Sequence, residues 1–473
     1  MIAIPRFVFR LFRSVGRRAG LHKRRLTSEW GLSITGDGQS VRLRAGGCDV
    51  ALEYRHVGPS DAQTLTLPWE ALDALAGRGN EPVSLNAHGP TVTIASWNDG
   101  GVPRQSRFDA PKLDKLKFPE PPQEFTANEP GLWRAFRDAV PICDSASVRY
   151  ALGCLSFRGI GRIDTTDGRH VLTQAGFQFP WQEDLLLPGN SVLGCRELDT
   201  NDSVGVGRTE KWVGFRTGDW LVMLAVQDGR FPKIDEIIPK PETAKSRLEL
   251  APDDAEFLAG VLPRLPCDDP QYEPITCDLN GRVLIRARES ATSRPTQVEL
   301  KESRLHGEPA ILHTNRKYVA HALRLGFRNV HCFGTGSAAL CCDDRRRLLW
   351  MPLDQESAIK PHTDPIRIER SSFVPATAST PSTSEKPMSV KSNAELPATH
   401  KRPASSVAAE TNHAVPDRTA ISPIEQTLVL RDALRTAAQK ANDLVRSLKR
   451  QKRQTRIVES TLASLKELQK VAG

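Results

Sequence analysis

Between residues 29 and 353, apolar and polar positions recur in one phrase: a strand, a helix and three further strands. In the copy starting at Thr64, the run TLTLP ends at Pro68 and an eight-residue amphipathic helix follows. Gly77 and Gly79 stop it, and alternating Val83, Leu85, Val92 and Ile94 mark strands. A second copy begins DLLLPGNSVLGCRELD at Asp184 and continues through WVGFRTGDWLVMLAV. A third begins PAILHTNRKYVAHALRLG at Pro309 and ends in LLWMPL. Each copy is preceded by another helix candidate, at 6–16, 130–141 and 252–263, so each domain holds two similar halves. Three domains are expected, 1–118, 124–240 and 246–353, joined by the Pro-rich connectors FPEPPQEF and IPKPETAK.

After Leu353 the pattern stops. Residues 354–422 are rich in Pro, Ser, Thr and Ala with few large apolar groups, a composition that predicts a disordered linker. From Pro423, Leu430, Leu434, Ala437, Ala441, Leu444 and Leu448 follow alternating spacings of four and three. They predict a basic helix or coiled coil over 423–471, whose seam breaks at Gln451 and Thr455 within VRSLKRQKRQTR.

Charge divides the chain in a way that the overall +9 of its 473 residues conceals. The first 28 residues carry eight Lys or Arg and no acid, and the last 50 carry eleven bases against five acids, so the stretch between is mildly acidic. Two basic ends suggest polyanion contact by particular elements. The opening MIAIPRFVFRLFRSVGRRAG is apolar, Arg-rich and acid-free like a signal or transit peptide, but is not expected to be one, because Arg6, Arg10 and Arg13 interrupt any apolar core. Phe7, Val8, Leu11, Phe12 and Val15 recur instead at helical spacing behind Pro5, an amphipathic helix whose basic face either meets solvent or grips phosphate. No stretch of about 18 residues is apolar without a charge, so no membrane-spanning helix is expected and the chain reads as soluble.

The chemistry of enzymes is not legible here. Nine cysteines lie without a C-x-x-C or paired metal-ligand spacing, which suits a reducing cytosol, and on a strand Cys341 and Cys342 would face opposite sides. Neither a P-loop nor a nucleophile elbow, H-E-x-x-H or dinucleotide fingerprint is present. Asp164 and Asp167 in IDTTDGRH could serve as metal carboxylates with His170 as a base, but an acid beside Gly, as Asp167 is, reads more simply as a turn former. His313 and His321, eight apart with Lys317 between, do not make a metal pair. No catalytic residue, metal or cofactor is expected.

Five phrases carry a resemblance. SVRYALGCLSF, TTDGRHVL (Thr165–Leu172), DGRFPKIDEIIP (Asp228–Pro239), TNRKYVAHAL (Thr314–Leu323) and WMPL (Trp350–Leu353), in that order and spacing, resemble the bacterial β sliding clamp, the processivity subunit of DNA polymerase III. The resemblance spans about residues 1–353. It implies an α+β fold of three similar domains, each with two helices packed on antiparallel sheets. Two such chains pair head to tail as a homodimer ring around double-stranded DNA, with helices lining the bore. The ring is not an enzyme. It tethers a DNA polymerase, needs an ATP-driven clamp loader but no cofactor of its own, and works in the cytoplasm at the nucleoid. A ring that slides meets phosphates rather than base edges. By this resemblance the DNA-contacting groups are Arg6, Arg10, Arg13, Arg17, Lys23, Arg24, Arg25, Arg149 and Tyr150.

The family also captures short partner peptides in a pocket between the second and third domains. The matching positions are Leu152, Thr166, Gly168, Arg169, His170, Val171, Pro232, Tyr272, Tyr318, Leu349, Met351 and Pro352. The chain departs from the family in three places. Gly168-Arg169-His170-Val171 replaces the family order Gly-His-Arg-Leu, which moves the charge and trims the apolar wall. Pro266 and Cys267 replace two aliphatic residues of the subunit interface. The chain also continues for 120 residues past Leu353, where Gln426-Thr427-Leu428-Val429-Leu430 resembles a clamp-binding peptide able to return to the pocket across a flexible linker. The alternative is a clamp-derived scaffold that does not encircle DNA and assembles partners through its pocket and coiled coil.

Overall fold

The structure, a computed structural model, describes residues 1–23, 31–89, 91–110, 118–144, 151–267 and 269–370. The expected coiled coil, most of the linker and the Gln426–Leu430 segment lie outside these residues. All the described residues belong to one compact unit.

The repeated phrase appears as six strand sets. The first repeat runs β1 (Ile2–Pro5), α1 (Arg6–Arg18), β2 (Gly31–Gly36), β3 (Ser40–Gly46) and β4 (Val50–Val57). It continues with β5 (Thr64–Pro68), α2 (Ala71–Leu75), β6 (Pro82–Ala87), β7 (Val92–Asp99) and β8 (Val102–Asp109). The second holds β9 (Thr126–Asn128), α3 (Gly131–Ala139), β10 (Cys154–Arg158), β11 (Arg162–Thr166) and β12 (His170–Ala175). After them come β13 (Leu185–Pro188), β14 (Val204–Arg208), β15 (Trp212–Thr217) and β16 (Trp220–Ala225). The third holds β17 (Ser246–Glu249), α4 (Pro252–Val261), β18 (Pro274–Asn280), β19 (Arg282–Ala287) and β20 (Thr296–Leu300). An extra β21 (Arg304–Gly307) precedes β22 (Ala310–Asn315), α5 (Arg316–Arg324), β23 (Asn329–Cys332), β24 (Ala339–Cys342) and β25 (Arg346–Trp350).

Local chemistry sets the helices. Pro5 precedes α1, Arg17 and Arg18 face the negative end of its dipole, and Gly20 at φ +82° ends it. Its core face is Val8, Phe9, Phe12 and Val15, with Phe7 and Leu11 only partly covered. The second helix of the first repeat is five residues rather than eight, because Ala76 turns extended before Gly77. In the second repeat its place is taken by two 3₁₀ turns, Ser191–Gly194 and Arg196–Leu198, the first capped by the Asn190 side chain accepting from Val192 N–H at 2.9 Å.

Within each repeat the halves exchange their first strands, and the repeats join edge to edge. The sheets run β1-β6-β7-β8, then β5-β2-β3-β4-β16-β15-β14-β9, then β13-β10-β11-β12-β25-β24-β23-β17-β21, and β22-β18-β19-β20 with one added strand. At the first junction Tyr54 faces Trp220 across the β4·β16 ladder, their rings 4.7 Å apart, and Phe12 stacks on Trp220 at 5.8 Å. The cores of repeats one and two are thereby continuous. Cys341 is buried and Cys342 half-buried, as strand alternation requires. Asp164 is fully buried in a structural ion network, its Oδ1 2.8 Å from Arg162 Nε.

The added strand corrects one expectation. Residues 354–370, taken from composition as the start of a linker, fold onto the third repeat: Gln355–Ser357 form a 3₁₀ turn, Ile359 is buried, and β26 (Ile366–Ile368) pairs parallel with β20. Average composition hides this, since three isoleucines in a polar stretch suffice when an open strand edge already exists.

Candidate peptide pocket and nucleic-acid face

The turn between β11 and β12 is built by its own acid. Asp167 Oδ1 accepts the N–H groups of Arg169 at 2.8 Å and His170 at 2.7 Å, and Gly168 supplies φ +90°. The guanidinium of Arg169 then lies 5.2 Å from the Tyr272 ring, and its carbonyl accepts from Met351 N–H at 2.9 Å. Tyr318 comes from α5, whose N-cap Asn315 accepts from Lys317 N–H at 2.8 Å.

Arg169, Tyr272, Tyr318, Met351 and Pro352 line a cavity of about 640 Å³. Its apolar walls are aromatic and thioether, Arg169 and Arg288 add cations and Asp269 and Asp354 acids, and Met351 is 47% exposed although apolar. Burial pushes the Tyr318 phenol up to about 12, so it offers a neutral O–H. Such a cavity takes a few apolar side chains of a peptide.

The other expected lining residues stand elsewhere. His170 is buried behind Tyr318, their rings 4.7 Å apart. Leu152 and Thr166 are buried, and a Cβ on Gly168 would lie 3.7 Å from Leu152 Cδ1. Val171 and Leu349 face each other across β12·β25 and bury with Ile234 and Leu340, while Phe231 and Ile238 pack over them. Pro232 shapes that covering segment by accepting from Ile234 N–H at 3.0 Å. Strand alternation sends Val171 and Leu349 to this covered face, which removes them from the cavity. The sequence missed the opposite wall: His313 from β22, and Asp354, Ser357 and Ile359 from beyond β25. Its only signal was Asp354, which accepts from Glu356 N–H at 3.1 Å and starts the 3₁₀ turn.

The basic helix presents a divided face. Arg10, Arg13, Arg17 and Arg18 rim a groove of about 470 Å³ with Glu197. Asp73 of α2 holds Arg13 and Arg17, each at 2.8 Å, and both pairs are open to solvent. Arg6 is different. Its side chain is 12% exposed, donates to the carbonyls of Leu75 and Ala76, and pairs with Asp99 at 2.6 Å over the Trp97 ring. It is thus a structural tie that leaves the set of groups free to meet phosphate. Lys23 closes a 3₁₀ turn, Leu21–Lys23, and Arg24, Arg25, Arg149 and Tyr150 lie outside the described residues. Pro266 and Cys267 follow the 3₁₀ turn Leu262–Arg264 and are half-buried. Among the described residues no group of three or more His, Cys, Asp or Glu is placed to hold a metal, and no helix is long and apolar enough to cross a membrane.

Solved structures share this architecture. A DNA polymerase III β sliding clamp from Pseudomonas aeruginosa superposes with TM-score 0.62 at 18% identity, over 75% of this chain and 99% of that one. The β subunit from Thermotoga maritima gives 0.62 at 13% identity over the same shares. The β chain from Streptococcus pneumoniae gives 0.59 at 13% identity, over 75% of this chain and all of that one. No family model and no curated protein matches the sequence. The fold is therefore the sliding-clamp fold, reached at identities where only the architecture is shared.

Proposed function

We propose that this protein is a DNA sliding clamp, a non-catalytic processivity factor that encircles duplex DNA as a head-to-tail dimer. Its domains run 1–118, 124–240 and 246–370, the last extended past 353 by the added strand. It captures a polymerase and an ATP-driven loader by their peptides, and it acts in the cytoplasm at the nucleoid. One observation carries the reading: the same antiparallel joint links repeat one to two through β4·β16 and repeat two to three through β12·β25. A chain whose modules join by one repeated operation is suited to closing a ring with a second copy. The exposed arginines of α1 supply sequence-independent phosphate contact, and the cavity around Tyr272 and Tyr318 supplies peptide capture.

The test uses the full chain assembled on nicked circular duplex DNA at high protein concentration and then taken to about 0.5 M salt, where surface charge contacts are screened. A clamp stays on the circle and is lost when the DNA is linearised. Equal loss from circle and line overturns the reading. A second reading, the scaffold that does not encircle DNA, is favoured by β26, which lies along the outer edge of β20.

A further inference from the structure

The last strands of the half-repeats pair by a rule. β4 ends the first half of repeat one and joins β16, which ends the second half of repeat two; β12 ends the first half of repeat two and joins β25, which ends the second half of repeat three. β20 ends the first half of repeat three, so its counterpart should be the last strand of a second half. The remaining strand of that kind is β8, whose one sheet neighbour is β7 and whose residues are mostly exposed. The edge of β20 is not open to it. Thr296, Gln297 and Val298 already face Ile366, Arg367 and Ile368.

We propose that the strap 354–370 is an intramolecular stand-in for β8 of a second copy, so that self-association through β20 requires the strap to leave. The inference deepens the ring reading and rests on it.

Charge supports a shared seat. β8 carries Arg104 and Arg107, three apart, and the strap carries Arg367 and Arg370 at the same spacing. Arg370 reaches Asp253 at 2.5 Å and Glu302 at 3.2 Å, and the groove also holds Glu299, paired with Arg282, and Lys301, so acids outnumber bases on the β20 side and the rim suits either arginine pair. The strap is nevertheless the weaker ladder. It matches three residues in parallel, whereas each internal joint matches five antiparallel. Its advantage is being tethered: a short connection gives it a millimolar effective concentration, which a second copy at micromolar concentration must overcome by its longer ladder. Ile366 N–H donating to Pro295 O at 2.9 Å, the Arg294–Asp364 ion pair and the buried Ile359 hold the strap in place.

The experiment measures dimerisation of the full chain by sedimentation equilibrium. Ile366→Pro with Arg370→Glu removes one ladder donor and reverses two ion pairs; Asp364→Arg with Arg370→Glu loosens the strap by charge alone and guards against misfolding of the first. If the strap is closed in about nine molecules of ten, either pair of changes should tighten the dimer about tenfold for each joint that forms, and about a hundredfold for a ring closed at both joints. Adding Arg104→Glu and Arg107→Glu on β8 should erase that gain. Parent and variants that dimerise equally well overturn the strap as a barrier and leave the ring reading standing. Parent and variants that all stay monomeric overturn both. A gain that survives the β8 changes overturns β8 as the strand replaced.

Discussion

His170 Nε2 lies 3.3 Å from His321 Nδ1, joining the start of β12 in repeat two to α5 in repeat three behind Tyr318. Burial pushes His170 down to about 3, reinforced by His321 and Arg324, and pushes His321 down to about 4, reinforced by Arg324. Both rings are neutral when folded and titrate near 6.5 when unfolded. Below that pH the unfolded chain takes up protons that the folded chain refuses, so stability is present above pH 6.5 and is lost as pH falls toward 4. At pH 5 the loss is about 2 kcal/mol per ring. Asp164, which burial holds up at about 6 against Arg162 and Arg158, works in the opposite sense between pH 6 and 4. Urea melts at pH 7 and pH 5 of the parent and of His321→Gln remove that common contribution, and the variant should lose less stability on acidification. Equal losses would show that the pair does not set the acid limit.

Tyr318 and Tyr272 form the aromatic walls of the cavity, and the Arg169 guanidinium lies on one of them. Truncating a wall aromatic at a peptide site costs on the order of 2 kcal/mol, or about thirtyfold in affinity. Tyr318→Ala should therefore weaken binding of a fluorescent peptide with the sequence of residues 424–431 by about that factor. Arg169→Ala, at the rim, should cost less and mainly at low salt. Fluorescence anisotropy reads both, and unchanged binding in Tyr318→Ala would move the peptide site away from this cavity.

Gly16 lets α1 sit on Trp69. A Cβ there would lie 2.2 Å from Trp69 Cη2, so Gly16→Ala requires the helix or the indole to move. Alanine gains up to about 1 kcal/mol in helix propensity, while overpacking costs roughly 1–3 kcal/mol. The clash should win, with a net loss of about 1 kcal/mol and a lower melting temperature. Trp69 emission should shift in the same variant, because its ring is what must give way.

Much of the architecture was legible because it is local and repeated. Alternation at Val83, Leu85, Val92 and Ile94 marked the strands that form at Pro82–Ala87 and Val92–Asp99, and helical spacing placed α1, α3 and α4 within two or three residues. The site was legible only in part. Val171 and Tyr318 both stand at positions matching the family pocket, yet whether an apolar side chain is wall or core depends on the segment 231–238, which no local pattern encodes. The strap escaped for a similar reason. Ile366 and Ile368 are meaningful only beside the edge of β20, some seventy residues earlier.

Arg6 and Arg10 look alike in the sequence and stand one helical turn apart, and their surroundings separate them. Arg6 bonds two carbonyls at the end of α2 and Asp99, whereas Arg10 is exposed on the groove shared with Arg13, Arg17 and Arg18. A base that meets phosphate releases about one counterion, so its removal lowers the slope of log affinity against log salt by about 0.9 for duplex DNA. Arg10→Ala should lower that slope by nearly one and leave the melting temperature unchanged. Arg6→Ala should do the reverse, because it strands the part-buried carbonyls of Leu75 and Ala76 at the end of α2, at a cost of roughly 1–3 kcal/mol, while the half-exposed Asp99 returns to water. Affinity for a random-sequence duplex at several salt concentrations, beside a thermal melt, distinguishes the two. A slope change in Arg6→Ala without loss of stability would return that residue to the phosphate-facing set.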